Sequence, residues 1–155
     1  MIKNNKHHSN SLVNLLDKNQ RHAINLYDAG FNLFITGSAG TGKSLLIKSM
    51  KESYIKKYKT SKGLYITSTT GLSSINIEGI TIHSWSGITP VISTNDVDTF
   101  VNIIHKNYKI YNKYLYTKVL IIDEISMLSY KFLDFLNKVL QVIRKNSEAF
   151  GGIQI

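Results

Sequence analysis

The chain contains no cysteine and only one proline, Pro90, among its 155 residues. Without cysteine it can form neither a disulfide nor a cysteine-ligated zinc site. The sequence has no apolar run long enough for a membrane-spanning helix. Residues 1–12 lack the apolar stretch of a secretory signal. We therefore predict an intracellular protein, in the nucleus, cytoplasm or mitochondrion, that is not secreted and has no membrane partner.

Acidic residues and arginines are also scarce. Ten Asp and Glu residues stand against 19 Lys and Arg, which leaves a formal net charge of +9. Arg21 and Arg144 are the only arginines, so lysine supplies nearly all of the positive charge. Such an excess is typical of proteins that bind nucleic acid. A lysine-rich solvated surface would give the same composition.

The apolar segments alternate between strand-like and helix-like patterns. We predict strands at 31–36, 63–68 and 119–124, a strand that begins near 153–155, and helices at about 18–29, 44–58 and 70–77, from Asp96 onward and from Ser129 onward. Near-continuous apolar strands favour a parallel sheet with helices on both faces, which is an α/β fold. Residues 81–85 are predicted as a turn or a short extended piece, and 106–118 as a linker. We expect a flexible segment over 1–15 and one domain over 16–155.

The stretch "GSAGTGKS" fits the phosphate-loop pattern and lies between a predicted strand and a predicted helix. Glycines let the backbone wrap a phosphate closely, while the following helix presents unpaired N–H groups to it. Lys43 adds positive charge, and the hydroxyl of Ser44 is a ligand for Mg²⁺. The predicted cofactors are therefore ATP and Mg²⁺. The predicted phosphate-binding residues are Gly37, Ser38, Ala39, Gly40, Thr41, Gly42, Lys43 and Ser44.

Asp123 and Glu124 end the apolar strand "VLIIDE". Ligands of open α/β sheets bind at the carboxyl ends of the strands, where these acids lie. We predict that Asp123 holds Mg²⁺ together with Ser44. Glu124, with Lys43, is predicted to be catalytic, because it would orient and deprotonate the attacking water. A second acid of this kind favours ATP hydrolysis over nucleotide kinase chemistry.

Four blocks surround these motifs: "NQRHAINLYDAGFNLFITGSAGTGKS", "TSTTGLSSINIEGITIHSWSGI", "VLIIDEISML" and "FGGIQI". In their order and spacing they resemble the petite-integration-frequency (PIF-type) DNA helicases, relatives of RecD in helicase superfamily 1. The resemblance implies a RecA-like phosphate-loop domain that is truncated before its sensor strand. It also implies an ATP-driven motor that moves 5′ to 3′ along single-stranded DNA.

The resemblance also implies roles for residues outside the phosphate loop. Gln20 matches the glutamine that reads adenine in this family, although Asp17 and Gln20 also have the spacing of a helix capping box. The positions that match DNA-contacting residues are Thr69, Thr70, His83 and Ser84. Trp85 could contact DNA as well or be a core aromatic residue.

The family pattern continues beyond "FGGIQI" with a sensor strand and a second motor domain. We therefore expect this chain to be an N-terminal piece that needs a C-terminal motor domain as its partner. We expect it to bind nucleotide weakly, to hydrolyse it at best very slowly and to unwind nothing alone. Two other interpretations remain at this point. The chain could be another phosphate-loop ATPase, such as a helicase loader, or an inactive nucleic-acid-binding remnant.

Overall fold

The computed structural model describes residues 12–89 and 96–155, arranged as a parallel sheet between two layers of helices. The α-helices are α1 (Lys18–Asp28), α2 (Lys43–Tyr58), α3 (Gly71–Asn76), α4 (Ile82–Ser86), α5 (Val97–Lys106), α6 (Tyr108–Tyr116) and α7 (Tyr130–Arg144). Short 3-10 turns lie at Leu12–Leu15, Ile125–Met127 and Ala149–Gly152. No helix within the described ranges is both long and apolar enough to cross a membrane.

The sheet has three strands: β1 (Leu64–Ser68), β2 (Ile80–Thr81) and β3 (Val119–Asp123). Their order is β2-β1-β3, and both pairings are parallel. Leu64 is aligned with Val119 and Ser68 with Asp123, so β1 and β3 end at the same edge. This confirms the predicted α/β fold with a parallel sheet flanked by helices.

Different helices pack against the two faces of the sheet, because successive residues of a strand point to opposite faces. Val119 packs with α1 and α2 through Ile24, Leu46 and Met50. Leu120 faces the larger core that α4, α5, α6 and α7 form. The predicted inner face of α7 is buried throughout, namely Phe132, Phe135, Leu136, Val139, Leu140 and Ile143.

Side-chain caps begin three helices at the residues that the sequence predicts, which are Asp17, Asp96 and Ser129. The Asp96 carboxylate accepts from the Thr99 N–H at 2.9 Å, and the Ser129 hydroxyl accepts from the Phe132 N–H at 3.2 Å. Such caps satisfy N–H groups that the first helical turn leaves unpaired. The sequence also predicts a loop over 86–95 that carries Pro90. Residues 90–95 lie outside the described ranges, and Ser86 belongs to α4.

The prediction of a strand at 31–36 is wrong for this structure. Among the described residues, the backbone–backbone bond from this segment to the sheet region is the one that the Leu33 N–H donates to Ile155 O at 2.9 Å. Residues 31–36 form no strand, and the Phe34 side chain is 80% exposed. A strand is defined by the backbone groups of its neighbour, and an apolar sequence alone does not supply them.

The prediction that a strand begins near 153–155 is confirmed by one parallel pairing, at Gln154. Gln154 forms a parallel bridge with Val119, and its backbone bonds to both Lys118 and Leu120. The Gln154 side-chain amide also donates to Tyr27 O at 2.8 Å and to Phe31 O at 2.9 Å. Residues 153–155 therefore lie between β3 and the extended segment that leads into the phosphate loop.

Two further predictions of local structure are wrong. Residues 82–86 form α4, where the sequence predicts a turn or a short extended piece over 81–85. The Thr81 hydroxyl caps this helix by accepting from the Ser84 N–H at 3.1 Å. Residues 108–116 form α6 rather than a linker. Asn107 caps that helix, and Tyr114 at its centre is fully buried.

Candidate nucleotide and DNA site

The loop at 37–42 turns sharply into α2 through glycines with left-handed backbone. Gly42 precedes the helix with φ 81°, and Gly40 has φ 77°. A Cβ on Gly42 would lie 2.7 Å from Gln20 Nε2, and one on Gly37 would lie 2.7 Å from Thr41 Oγ1. Side chains at these two positions would therefore fill the loop. The two glycines leave the backbone without side chains where the first turn of α2 presents its N–H groups.

The Lys43 ammonium lies against the carbonyl groups of the loop. It donates to Gly37 O at 2.6 Å and to Ser38 O at 2.9 Å. The Thr41 hydroxyl also donates to Ser38 O, at 2.8 Å. These contacts hold a positive charge within the turn, which is the electrostatic arrangement that a phosphate group needs.

Asp123 and Glu124 have different backbone geometry although they are neighbours. Asp123 is the last residue of β3 and is partly buried. Glu124 has φ 55° and ψ 40°, which is left-handed backbone, and its side chain is exposed. A non-glycine residue rarely adopts this conformation, and such residues cluster at functional sites. The two acids at the end of this strand therefore differ in backbone conformation and in exposure.

Lys43 and Asp123 line the same groove, which has a volume of about 450 Å³. Most of the other lining residues are apolar, including Leu33, Ile35 and Ile121. The phosphate loop and the acidic strand end therefore lie at one edge of the sheet, on the α2 side. Ser44 is exposed in the first turn of α2, outside the groove lining.

The donors predicted for Mg²⁺ fit that ion in chemistry and in number. Ser44 and Asp123 both offer oxygen, which Mg²⁺ prefers, and Mg²⁺ usually takes few protein ligands beside phosphates and water. Across residues 12–89 and 96–155, no three His, Cys, Asp or Glu side chains gather into a metal site.

Gln20 makes the predicted capping box and a second contact at the same time. The Gln20 side-chain Oε1 accepts from the backbone N–H of Asp17 at 3.0 Å, and the backbone N–H of Gln20 donates to Asp17 Oδ1 at 2.9 Å. Its Nε2 donates to Thr41 O at 3.0 Å, which ties α1 to the phosphate loop. A side-chain amide has two donors and two acceptor lone pairs. One of each remains for a ligand.

Thr69 and Thr70 follow β1 directly, at the same edge as Asp123. The Thr70 hydroxyl caps α3 by accepting from the Ser73 N–H at 3.2 Å. The Thr69 hydroxyl lies 3.5 Å from Met127 Sδ, in the turn that follows Glu124. The structure therefore brings these two residues close to the acidic strand end.

His83 and Ser84 lie on α4, which follows β2. The His83 ring is partly buried and packs 5.1 Å from the ring of Phe132. Ser84 is exposed, and its hydroxyl accepts from Thr81 Oγ1 at 2.8 Å. Trp85 is fully buried, with its ring 5.2 Å from that of Tyr114. Two roles were predicted for Trp85, DNA contact or core packing. Its burial supports core packing.

Two basic residues have contacts that the sequence analysis missed. Lys113 donates to Ser84 O at 3.0 Å and to Trp85 O at 2.7 Å. Arg144 donates to four carbonyls, among them Gly151 O at 2.7 Å and Tyr114 O at 2.6 Å. The helical spacing of Ile110 and Tyr114 was the sequence pattern that would have predicted α6, the helix on which Lys113 lies.

Comparison with known proteins gives concordant results. A family model described as PIF1-like helicase matches residues 15–155. The ATP-dependent DNA helicase PIF1 of Candida albicans is 40% identical over 141 residues, which are 91% of this chain and 15% of that relative. This chain thus spans about a sixth of the relative's length.

Two solved structures show the same correspondence. A crystal structure of Pif1 helicase from Candida albicans superposes with a TM-score of 0.83 at 40% identity, over 90% of this chain and 31% of that one. Pif1 helicase from Bacteroides, crystallised with ADP-AlF3 and ssDNA, gives a TM-score of 0.65 at 31% identity, over 90% of this chain and 30% of that one.

Proposed function

Because the chain belongs to the PIF1-like helicase family, we propose that it forms the ATP-binding part of a DNA helicase motor. The observation that carries this proposal is that Lys43 and Asp123 line one groove at one edge of the sheet. A phosphate loop and an acidic strand end that share an edge can act on one triphosphate. The Bacteroides relative crystallised with ADP-AlF3 and ssDNA supports the same ligands here.

The proposed nucleotide site is built from residues 37–44. The backbone N–H groups of the loop and of the first turn of α2 bind the phosphates, and Lys43 neutralises their charge. Lys43 exchanges its contacts with Gly37 O and Ser38 O for phosphate oxygens when nucleotide enters. Gln20 contacts the adenine with the donor and the acceptor that its capping box and loop contact leave free.

Hydrolysis in this proposal depends on the two acids at the end of β3. Ser44 and Asp123 would hold Mg²⁺, which, when bound, neutralises charge that develops on the β- and γ-phosphates. The exposed Glu124 carboxylate accepts a proton from the attacking water and orients it. Glu124 is exposed in a left-handed turn, whereas Asp123 is partly buried, so the proposal assigns the cation to Asp123 and the water to Glu124.

Single-stranded DNA is the proposed second ligand. Thr69, Thr70 and Ser84 offer hydroxyl groups to phosphates, and His83 offers a ring nitrogen or a stacking surface. The excess of lysine favours a polyanion as well. Thr69 contacts Met127 in the turn after Glu124. DNA bound at Thr69 would therefore lie close to the turn that follows the hydrolytic acid.

The first test is nucleotide binding by the purified chain, followed with a fluorescent ATP analogue in the presence of Mg²⁺. Lys43→Ala should weaken binding by about tenfold or more, since charge-assisted hydrogen bonds to phosphate are lost. Lys48→Ala removes an exposed lysine from the same helix and should change little. Equal affinities for all three proteins would contradict the proposal.

The second test is ATP hydrolysis with and without single-stranded oligonucleotide. A motor of this kind should release phosphate faster when single-stranded DNA is present, and duplex DNA should stimulate it less. ATP turnover that ignores DNA would favour another class of phosphate-loop ATPase. DNA binding that Lys43→Ala leaves intact, without any nucleotide binding, would favour an inactive DNA-binding module.

A further inference from the structure

Lys113 connects α6 to the end of α4. Its ammonium donates to Ser84 O at 3.0 Å and to Trp85 O at 2.7 Å. These carbonyls belong to the last turn of α4, where carbonyl groups lack partners within the helix and carry partial negative charge. A lysine ammonium is therefore suited to this position.

The next residue of α6 extends the same contact. The Tyr114 hydroxyl donates to Ser86 O at 2.5 Å, and the Tyr114 ring packs 5.2 Å from that of Trp85. Lys113 and Tyr114 thus hold three consecutive carbonyl groups, those of residues 84–86. Trp85 and Tyr114 are both fully buried, so this connection is part of the larger core.

The α4 helix is too short to set its own direction. It contains five residues, and isolated helices of that length are unstable in water. Its N-terminal end is held by the Thr81 cap and its C-terminal end by α6. The orientation of His83 and Ser84, which lie between these ends, therefore depends on both attachments.

The ammonium of Lys113 is satisfied by these carbonyls rather than by an acid. Within the described part of the chain, its nitrogen has no carboxylate within ion-pair distance. Burial lowers the pKa of Lys113, and the nearby charge of Lys109 lowers it further. A partly buried charge of this kind is costly unless it is hydrogen-bonded, so the two carbonyls stabilise it where it lies.

We infer that Lys113 is a positioning residue for single-stranded DNA, which holds α4 in place without itself contacting a phosphate. The inference rests on the proposed DNA-contacting role of His83 and Ser84. It assigns a function to α6, the helix between α5 and β3. The proposed function gives this helix no role.

The test compares Lys113→Met and Lys113→Gln with the unmodified chain by fluorescence anisotropy of labelled oligo(dT) over a range of salt concentrations. We expect about tenfold weaker DNA binding, because charge-assisted bonds that fix α4 are lost. We also expect an unchanged slope of log affinity against log salt. Each lost phosphate contact would instead reduce that slope by about 0.7 for a single strand.

Three comparisons complete the design. Lys113→Arg keeps a donor for the same carbonyls and should restore most of the affinity. Lys109→Met removes an exposed neighbour on α6 and should leave the geometry of α4 intact. Affinity for the fluorescent ATP analogue should be unchanged in every variant, whereas a variant that simply unfolds would lose both ligands.

The outcomes separate this inference from the proposed function. His83→Ala and Ser84→Ala should each weaken DNA binding. If they do so while both neutral Lys113 variants bind DNA normally, the inference about Lys113 is wrong. A lower salt slope in Lys113→Gln would also overturn it, since Lys113 would then contact phosphate directly. If the unmodified chain binds no oligo(dT), or if His83→Ala and Ser84→Ala have no effect, the proposed DNA site fails and the inference fails with it.

Discussion

The side-chain amide of Gln20 donates to the carbonyl oxygen of Thr41 at 3.0 Å. The same side chain closes the capping box with Asp17 at the start of α1. The residue that we propose contacts adenine is thus hydrogen-bonded to the loop that would bind phosphate. Base recognition and phosphate binding would then be physically connected through one amide group.

Gln20→Ala should reduce ATP affinity by about tenfold, because it removes a contact with adenine and the attachment of the loop. GTP affinity should fall less, since only the loop attachment is lost for that nucleotide. Competition of ATP and GTP against a fluorescent analogue measures both. Asp17→Ala, which removes the carboxylate of the capping box but keeps Gln20, is the matched control. An equal loss for ATP and GTP would show that Gln20 only anchors the loop.

Gly42→Ala should destabilise the chain more than Gly40→Ala does. Both glycines have positive φ, and each alanine there costs about 1 kcal/mol or more in backbone strain. A Cβ at Gly42 would also lie 2.7 Å from Gln20 Nε2, whereas one at Gly40 meets nothing within 4 Å. Thermal unfolding measures the difference.

A double variant isolates that clash. Combining Gly42→Ala with Gln20→Ala removes the atom that the new methyl group would meet. The two changes should therefore be less destabilising together than the sum of their separate effects. Strict additivity would mean that Gln20 moves aside at no cost.

Glu124→Gln should lower the rate of ATP hydrolysis by about 10²-fold or more, since a general base typically contributes that much. Nucleotide binding should be nearly unchanged, because Glu124 is exposed and lies outside the phosphate loop. Phosphate release in the presence of single-stranded DNA measures the rate. Glu148→Gln, an exposed acid beyond α7, should behave as the unmodified chain. Normal hydrolysis by Glu124→Gln would assign the base to another group.

Tyr114 should make the fold sensitive to alkali. Burial raises the pKa of its hydroxyl above the ordinary value of 10.0. The unfolded chain therefore releases this proton at lower pH than the folded chain does, so stability is complete below about pH 10 and falls as the pH rises above it.

Tyr114→Phe tests this pH dependence. At pH 7 the variant should lose about 1 kcal/mol, the contribution of the hydrogen bond to Ser86 O. Its stability should then fall less steeply than that of the unmodified chain above pH 10. Tyr116→Phe, in a side chain that is 71% exposed, is the control. Parallel stability curves for Tyr114→Phe and the unmodified chain would contradict the role given to burial.

Much of the local structure was predictable because its causes lie close together in the sequence. Asp17, Asp96 and Ser129 cap the helices that follow them, and each cap contacts a residue only three positions away. The inner face of α7 followed from helical spacing alone. Apolar runs likewise located β1 and β3. The phosphate-loop pattern and the two acids at the end of β3 predicted a nucleotide site without any knowledge of distant contacts.

Two of the three errors, at 31–36 and at 108–116, share a cause, which is dependence on residues far away in the sequence. The segment 31–36 is as apolar as a strand, yet pairing requires the backbone of another segment at its side. Residues 108–116 are rich in tyrosine and lysine, and their helix is fixed by the core contacts of Tyr114. Composition favoured a solvated linker there because it does not reveal which side chains meet a partner.

The sequence by itself determined which groups are available: a glycine loop with Lys43, two acids at a strand end, hydroxyl groups after β1 and an excess of positive charge. Only the tertiary structure decided which of them meet. It brought Lys43 and Asp123 to one groove across 80 residues of chain, joined Gln20 to Thr41, and attached Lys113 to the end of α4. The physical reason is that residue type and spacing govern local hydrogen bonds, whereas the packing of the sheet and helices decides which distant groups lie within contact distance.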